Sequence, residues 1–331
     1  MSILEKIAEK NICRTGIERS MCHSTAGVEL PNGELLTAWY EGKYEMATNS
    51  VIAISTTEGY SSWRRQIDGK NNFKWKEPEI FIDIPETAVG NPVLLTGKDG
   101  MIWLYFVVLH GQSWTTSRIA LTPLYPEKVS ERAIPWPLEL SNCPTGFMTK
   151  NKPLRLKSGV LLLPIYDEKS TTPLVLRSTD DGGSWYIYGE TTTGFGCAEQ
   201  PTLVELPDGT ILMLTRTNKG RIWKSYSYNQ GLTWTSSEPT EMANPNSGID
   251  MVFTSQGRLI LILNDSSFSR NRLVAMISND QGKTWQDDLI VEEVGNGEAS
   301  YPAIITDKDN LIHIFYTWQR IEIKHLVFKE T

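Results

Sequence analysis

Gln200-Pro-Thr-Leu-Val-Glu-Leu-Pro-Asp-Gly-Thr-Ile-Leu-Met-Leu-Thr-Arg216 reads as two apolar strands joined by a tight hairpin. The Asp208-Gly209 pair tolerates the positive φ that such a turn requires. Arg221-Ile-Trp-Lys-Ser-Tyr-Ser227 then alternates like a half-buried strand, and a turn ending in Trp234 closes the unit. Four short antiparallel strands of this kind make one propeller blade. The turn signal recurs at Asn32-Gly33, Asp99-Gly100, Ser158-Gly159, Gln256-Gly257 and Asp309-Asn310. Second residues of successive pairs lie 67, 59, 50, 48 and 53 positions apart. One unit per about 55 residues suits propeller blades, and the chain length accommodates six. Helical periodicity is hard to find beyond the first dozen residues, and the βαβ alternation of a parallel sheet is absent.

We therefore expect an all-β fold, a six-bladed β-propeller forming a single domain over residues 1–331. The sixth unit stops after three strands, Tyr301-Pro-Ala-Ile-Ile, Leu311-Ile-His-Ile-Phe-Tyr-Thr-Trp318 and Ile321-Glu-Ile-Lys-His-Leu-Val-Phe328. The residues before Ser20 have no blade of their own. They are expected to supply the missing outer strand against 321–328, since closing the ring removes exposed sheet edges. A helix over residues 2–10 is the competing local reading.

Lys+Arg 32 against Asp+Glu 39 gives a net charge of −7. That balance argues against a nucleic-acid binder, which needs a broad basic surface, and against binding to anionic membranes. No apolar run is long enough to span a bilayer. The first ten residues lack the apolar stretch of a signal peptide, so a cytoplasmic protein is expected. Cys13, Cys22, Cys143 and Cys197 show no metal-ligand spacing and are expected to be free thiols. Nothing resembles a metal or nucleotide signature, so no cofactor is expected. Oligomeric state is not legible.

Three turns share the form S-x-D/N-x-G-x-T/S-W. They are Ser178-Thr-Asp-Asp-Gly-Gly-Ser-Trp185, Ser227-Tyr-Asn-Gln-Gly-Leu-Thr-Trp234 and Ser278-Asn-Asp-Gln-Gly-Lys-Thr-Trp285. Asp and Ser/Thr can hydrogen-bond the turn backbone, Gly permits a left-handed residue, and Trp packs between blades. The pattern resembles the Asp-box (BNR) repeats of the sialidase superfamily, including its sialidase-like BNR proteins of the exo-sialidase type. The resemblance extends through Cys22-His-Ser-Thr, Trp39-Tyr-Glu-Gly, Gly90-Asn-Pro, Asn151-Lys-Pro, Gln200-Pro-Thr, Asn244-Pro-Asn-Ser-Gly and Tyr301-Pro-Ala-Ile. Polar residues opening innermost strands are expected to line a central funnel, because unpaired polar groups in a β core cost free energy.

The resemblance implies a site in which three arginines hold a substrate carboxylate, a glutamate activates a nucleophilic tyrosine, and an aspartate serves as acid/base. Arginine forks match a carboxylate bidentately, and a nearby carboxylate makes a phenol a better nucleophile. Arg216 resembles the second arginine. Arg270, eight residues before Ser278, resembles the third, with Arg272 its local rival if a bulge shifts the register. Tyr301 resembles the nucleophile, and Glu45 falls where the acid/base aspartate is found. Two positions depart from the pattern. His23 stands where the first arginine is expected, ten residues before Gly33, and Gln200 replaces the activating glutamate, sixteen residues before Arg216. Glu199 is adjacent, but neighbours on a strand face opposite sides, so it substitutes only if a bulge turns it inward.

Asn91, Lys152 and Asn246 open inner strands and are candidates for binding sugar hydroxyls or an anionic group. Trp39, Trp114, Tyr166 and Trp318 are candidates for a stacking wall. Together these features favour a glycosidase acting on a carbohydrate that carries an anionic group, a uronic acid or keto-acid glycoside, with Glu45 as acid and Tyr301 or water as nucleophile. The loss of one arginine and of the activating carboxylate argues against ordinary sialidase activity. Two alternatives stay open. One is a polysaccharide lyase using His23 and Tyr301 as proton-transfer groups; the other is a non-catalytic carbohydrate-binding propeller.

Overall fold

The computed structural model describes residues 2–67, 72–125, 137–189 and 197–331. The strands form six antiparallel sheets, one per blade, arranged as a six-bladed propeller. Blade 1 runs Met21–Glu29, Leu35–Gly42 and Val51–Glu58, with Lys74–Trp75 and Glu79–Ile82 outermost. Blade 2 runs Val89–Thr96, Ile102–Leu109, Ser117–Leu124 and Leu138–Glu139. In blade 3 the inner strand is split into Phe147–Thr149 and Leu154–Arg155, followed by Leu161–Asp167, Thr172–Ser178 and Tyr186–Tyr188. Blade 4 comprises Ala198–Glu205, Ile211–Thr217, Arg221–Ser227 and Glu238–Ala243. Blade 5 comprises Asp250–Phe253, Leu259–Asn264, Arg272–Ser278 and Gln286–Glu293. Blade 6 takes Ala299–Thr306, Ile312–Trp318 and Glu322–Glu330 from the end of the chain and Leu4–Arg14 from its start.

Each hairpin turn has its second residue in the left-handed region, from Gly33 at φ 84° to Asn310 at φ 63°. Asn tolerates that conformation better than most non-glycine residues, which explains why the last turn dispenses with glycine. The three S-x-D/N-x-G turns share one wiring. In the first, Asp180 accepts from the Ser184 backbone and hydroxyl and from Ser178, while the Gly182 amide donates to Ser178 Oγ. Asn229 reproduces it with an amide, its Oδ1 accepting from Thr233 N and its Nδ2 donating to Thr233 Oγ1. Trp185 then leans onto the preceding blade, edge-on to Tyr105 at 5.8 Å.

The core is a ring of interfaces between blades. Leu36, Ile52, Leu94 and Phe106 fill the space between blades 1 and 2, and Val252, Ile262, Ile304 and Tyr316 that between blades 5 and 6. Truncating a buried Leu or Ile at such a site costs about 2–5 kcal/mol, so every blade depends on both neighbours. The last interface is built by Leu4–Arg14, which pairs antiparallel with Glu322–Glu330 through two bulges. The helix alternative for the first residues is not realised. Lys6, Ala8 and Lys10 find backbone partners in Phe328, Val327 and His325, which a local helix would have left as an open edge.

A buried polar chain crosses this closure. Trp75 Nε1 donates to His325 Nδ1 (3.3 Å), and His325 Nε2 faces His313 Nδ1 (2.9 Å). His313 Nε2 meets Tyr60 Oη (3.0 Å), which donates to Asp307 Oδ2 (2.5 Å). One proton assignment satisfies every link, with both histidines neutral and protonated on Nε2. Burial holds His313 and His325 below the usual histidine range, and for His325 the neighbouring His313 adds to it. Burial alone would raise the Asp307 carboxyl, but the His313 and Tyr60 contacts bring it down to about 2.

These shifts set a pH dependence. The native state keeps both imidazoles neutral, while the unfolded chain takes up protons as pH falls through about 6.5. Stability should therefore be full above that pH and decline below it, by up to about 1.4 kcal/mol per pH unit for each histidine. Thermal melting between pH 7.5 and 5.5 should show a falling midpoint, and a flat profile would contradict this wiring. Deleting residues 1–14 should abolish cooperative melting, because it strips the outer strand from blade 6.

Candidate active site

Inner strands deliver the site through a repeated irregularity. Ser24, Asn91, Gln200 and Tyr301 all lie in the left-handed region, at φ 52°, 47°, 50° and 52°. Each is the extra residue of a bulge against the second strand of its blade, between His23/Ala26, Gly90/Val93, Glu199/Thr202 and Ser300/Ala303. Asn246, at φ 53°, precedes the inner strand of blade 5. A bulge bends the strand and re-aims a side chain. Asn91, Gln200 and Tyr301 are thereby turned towards the propeller axis, where they line a cavity of about 150 Å³ with His23, Glu45, Trp114, Tyr166, Glu168 and Arg216 among its walls.

Tyr301 stands at the centre of a cationic cluster. Arg216 Nη1 donates to its Oη at 3.0 Å. The Arg216 and Arg270 guanidinium carbons lie 5.8 and 5.7 Å from its ring centre, and both arginines donate to the Asn246 carbonyl, at 3.4 and 2.7 Å. Arg216 is almost fully buried because Glu199 sits directly across the ladder and accepts from its Nε (3.1 Å) and Nη2 (2.5 Å). The bulge therefore turns Gln200, rather than Glu199, towards the cavity. Glu199 acts on Tyr301 through the guanidinium it holds. Gln200 Nε2 donates to Tyr166 Oη at 3.4 Å, while its buried Oε1 has no hydrogen-bond partner among the described residues.

His23 packs its ring 4.1 Å from that of Tyr301, with Nε2 3.8 Å from Glu45 Oε1. Burial, and then the charges of Arg320, Arg270, Lys150 and Arg216, push its pKa well below the usual range. It is a neutral imidazole among cations. Glu45, one-third exposed, is paired with Arg320.

Three residues of this site were not singled out from the sequence. Arg320, in the turn between the second and third strands of blade 6, pairs with both Glu45 and Glu298, and Glu298 also lies 3.5 Å from Arg270. A third guanidinium thus reaches the site from a different blade than the one where His23 replaces an arginine. Lys150 is fully enclosed, bonded to Asn151 Oδ1 at 2.9 Å and to the carbonyl of Pro302, next to Tyr301. Burial, partly opposed by Asp250, lowers its pKa to about 7. Glu168 follows the second strand of blade 3. In the sequence the polar pair Gln319-Arg320 between two apolar strands marks only a turn; in the structure both residues lie at positive φ.

Some expected residues lie elsewhere. Lys152 binds Asp250 at 2.7 and 2.8 Å and lines a different opening, beside Gly27, Glu29 and Thr96. The inner strand of blade 3 is broken between Thr149 and Leu154, so Lys150 and Lys152 do not share a face. Arg272 is hydrogen-bonded into the third strand of blade 5 and pairs with Asp265 at 3.3 Å, so Arg270 is the arginine at Tyr301. Asn246 contributes its carbonyl to the arginines. Trp39 is buried in the core between blades 6 and 1, and Trp318 packs into the core of blades 5 and 6 beneath Lys324. Of the four aromatics, Trp114 and Tyr166 reach the cavity. Trp114 opens a short 3-10 turn capped by Ser113 Oγ, and it fits because Gly90 has no Cβ, which would lie 3.0 Å from its ring.

The sequence pattern of the BNR repeat-like domain family matches residues 33–314. The anhydrosialidase of Macrobdella decora is 29% identical over 188 residues, an alignment covering 50% of this chain and 24% of that protein. This chain thus spans about a quarter of that relative's length. Among solved structures, Hadza microbial sialidase Hz136 superposes with a TM-score of 0.76 at 17% identity, covering 96% of this chain and 68% of the other. A Dyadobacter fermentans protein of unknown function gives 0.77 at 16% identity over 99% of both chains. The intramolecular trans-sialidase of Ruminococcus gnavus gives 0.72 at 15%, covering 96% and 97%. At these identities the structures establish a shared propeller.

The cationic surroundings make a direct prediction for His23. Its ring nitrogens should keep the chemical shifts of neutral imidazole at pH 6, where an ordinary histidine is mostly protonated. Protonated shifts at that pH would contradict the arrangement described.

Proposed function

The chain belongs to the BNR repeat-like domain family, and we propose that it is a glycoside hydrolase acting on an anionic sugar, a uronic or keto-acid glycoside, in the central cavity. One observation carries this reading: Tyr301 is flanked by Arg216 and Arg270, with the partly exposed Arg320 joined to Arg270 through Glu298. Arg216 is committed to Glu199 and Tyr301. Arg270 and Arg320 retain exposed edges and are the forks for a substrate carboxylate. The Arg216–Tyr301 contact orients the phenol oxygen as the nucleophile. Glu45, at the mouth, is placed to work on the departing oxygen and on the incoming water.

The anhydrosialidase relative supports hydrolytic or transfer chemistry on sialic-acid-like substrates. His23 and Gln200 weigh against an ordinary sialidase, since an imidazole cannot replace a bidentate guanidinium and an amide cannot accept a proton from Tyr301. Release of a fluorogenic leaving group from an N-acetylneuraminic acid glycoside should therefore be negligible.

A product assay over uronate and keto-acid glycosides, run on wild type and Tyr301→Phe, tests the proposal. Wild type should turn over at least one acidic glycoside, and Tyr301→Phe should bind it without turnover. Persisting turnover in Tyr301→Phe would remove the phenol from the mechanism. Arg270→Ala and Arg320→Ala should each weaken binding of an acidic saccharide by about 1.5–3 kcal/mol, the range for hydrogen bonds to charged groups. Unchanged affinity in both would refute the anion clamp.

A further inference from the structure

Two carboxylates line the cavity, and they are differently employed. Glu45 is ion-paired with Arg320, whereas Glu168 forms no ion pair with a described residue. Glu168 is fixed by its backbone, its amide donating to the Gly146 carbonyl at 2.8 Å just beyond the strand Leu161–Asp167. Tyr166, Gln200, Arg216 and Tyr301 line the same cavity, and the Tyr166 hydroxyl donates to the Glu168 carboxylate. Gln200 is 2% exposed, and its Oε1 faces no donor among the described residues. The cavity that holds Tyr301 therefore contains one amide unable to take a proton and one carboxylate, Glu168, that is hydrogen-bonded to Tyr166, free of ion pairs with described residues and able to do so.

We infer that Glu168 is a catalytic residue, the proton acceptor for Tyr301, supplied by blade 3 where Gln200 of blade 4 cannot serve. This inference rests on the hydrolase reading above. Burial, reinforced by the Glu199 charge and opposed by Arg216 and Tyr166, pushes the Glu168 carboxyl up to about 7. A base with that poise accepts a proton near neutral pH and returns it in the next step. As Tyr301 Oη bonds to the anomeric carbon, the phenol proton passes to Glu168. The bond from that carbon to the leaving oxygen breaks with its electron pair, and the oxygen takes a proton from water held at the mouth by Glu45. The hydroxide so formed attacks the anomeric carbon, expelling the phenolate, which recovers its proton from Glu168. Glycoside and one water become free sugar and alcohol, with no oxidant or further reactant.

Two measurements test this. In wild type, the Glu168 side-chain carboxyl, observed by carbon-13 NMR and assigned by its loss in Glu168→Gln, should titrate between pH 6 and 8. A midpoint in the ordinary range near 4.3 would overturn the inference. On a glycoside that wild type hydrolyses, kcat should rise with pH through about 7. Glu168→Gln should lose that limb and about 10²–10⁴-fold of kcat, the usual contribution of a general base, with KM changed less than threefold. Should that variant fail to fold, Glu168→Asp takes its place and should keep the limb at a reduced rate. Turnover in Glu168→Gln within threefold of wild type, with the limb intact, would defeat this assignment while leaving the hydrolase reading standing. Absence of wild-type turnover across all acidic glycosides would defeat the hydrolase reading itself.

Discussion

The left-handed residue inserted at the same point of four inner strands is the constraint on which the site depends. A regular strand would send alternate side chains into the two neighbouring interfaces between blades and leave the axis without functional groups. The extra residue breaks that alternation and turns Asn91, Gln200 and Tyr301 towards the axis. Positive φ is unfavourable for such residues, so the ladders on either side must hold it. Asn91, Gln200 and Tyr301 each precede a proline, which donates no backbone hydrogen bond and so loses none at the irregular point. The ring matters for the same reason. Each bulge is held between two interfaces, and the closure through Leu4–Arg14 makes the number of interfaces equal to the number of blades.

Charge is balanced in layers around Tyr301. Glu199 neutralises Arg216 from behind, and Glu298 bridges Arg270 and Arg320. Glu45 then takes Arg320 at the mouth. Lys150, beneath, is drained of basicity by burial. The outcome is a site whose cations are held in place while two of them still face solvent, the arrangement an incoming carboxylate needs. His23 belongs to this balance as a neutral spacer between Tyr301 and Glu45. A charged side chain there would add a further cation to the group of four that already depress its pKa.

The fold was legible because it repeats. Turn pairs such as Asp208-Gly209 and the Ser178–Trp185 pattern each encode a local conformation, and six copies of the first with three of the second leave few architectures. The resemblance to the sialidase superfamily is what pointed to Arg216, Arg270, Glu45, His23, Gln200 and Tyr301, and the structure gathers them about the axis. Where strand geometry fails, so did the reading. Lys152 would reach the axis only if the inner strand of blade 3 were continuous, and it is not. Arg320 and Glu168 lie outside the inner strands, in a turn and beyond a strand end, where no period assigns a direction. Glu199 and Gln200 were undecided in the sequence, because the bulge that separates their roles is a property of the ladder, with Glu199 opposite Arg216 and Gln200 set apart.

On the function proposed above, the axis cavity is an anion site built around Tyr301. A crystal structure of the protein soaked with an acidic monosaccharide, glucuronate or N-acetylneuraminate, tests it most directly. The carboxylate should lie between Arg270 and Arg320, with the anomeric carbon within reach of Tyr301 Oη. A saccharide seated instead in the larger cleft lined by Ile84, Val108 and His110, with the arginine cluster untouched, would contradict it.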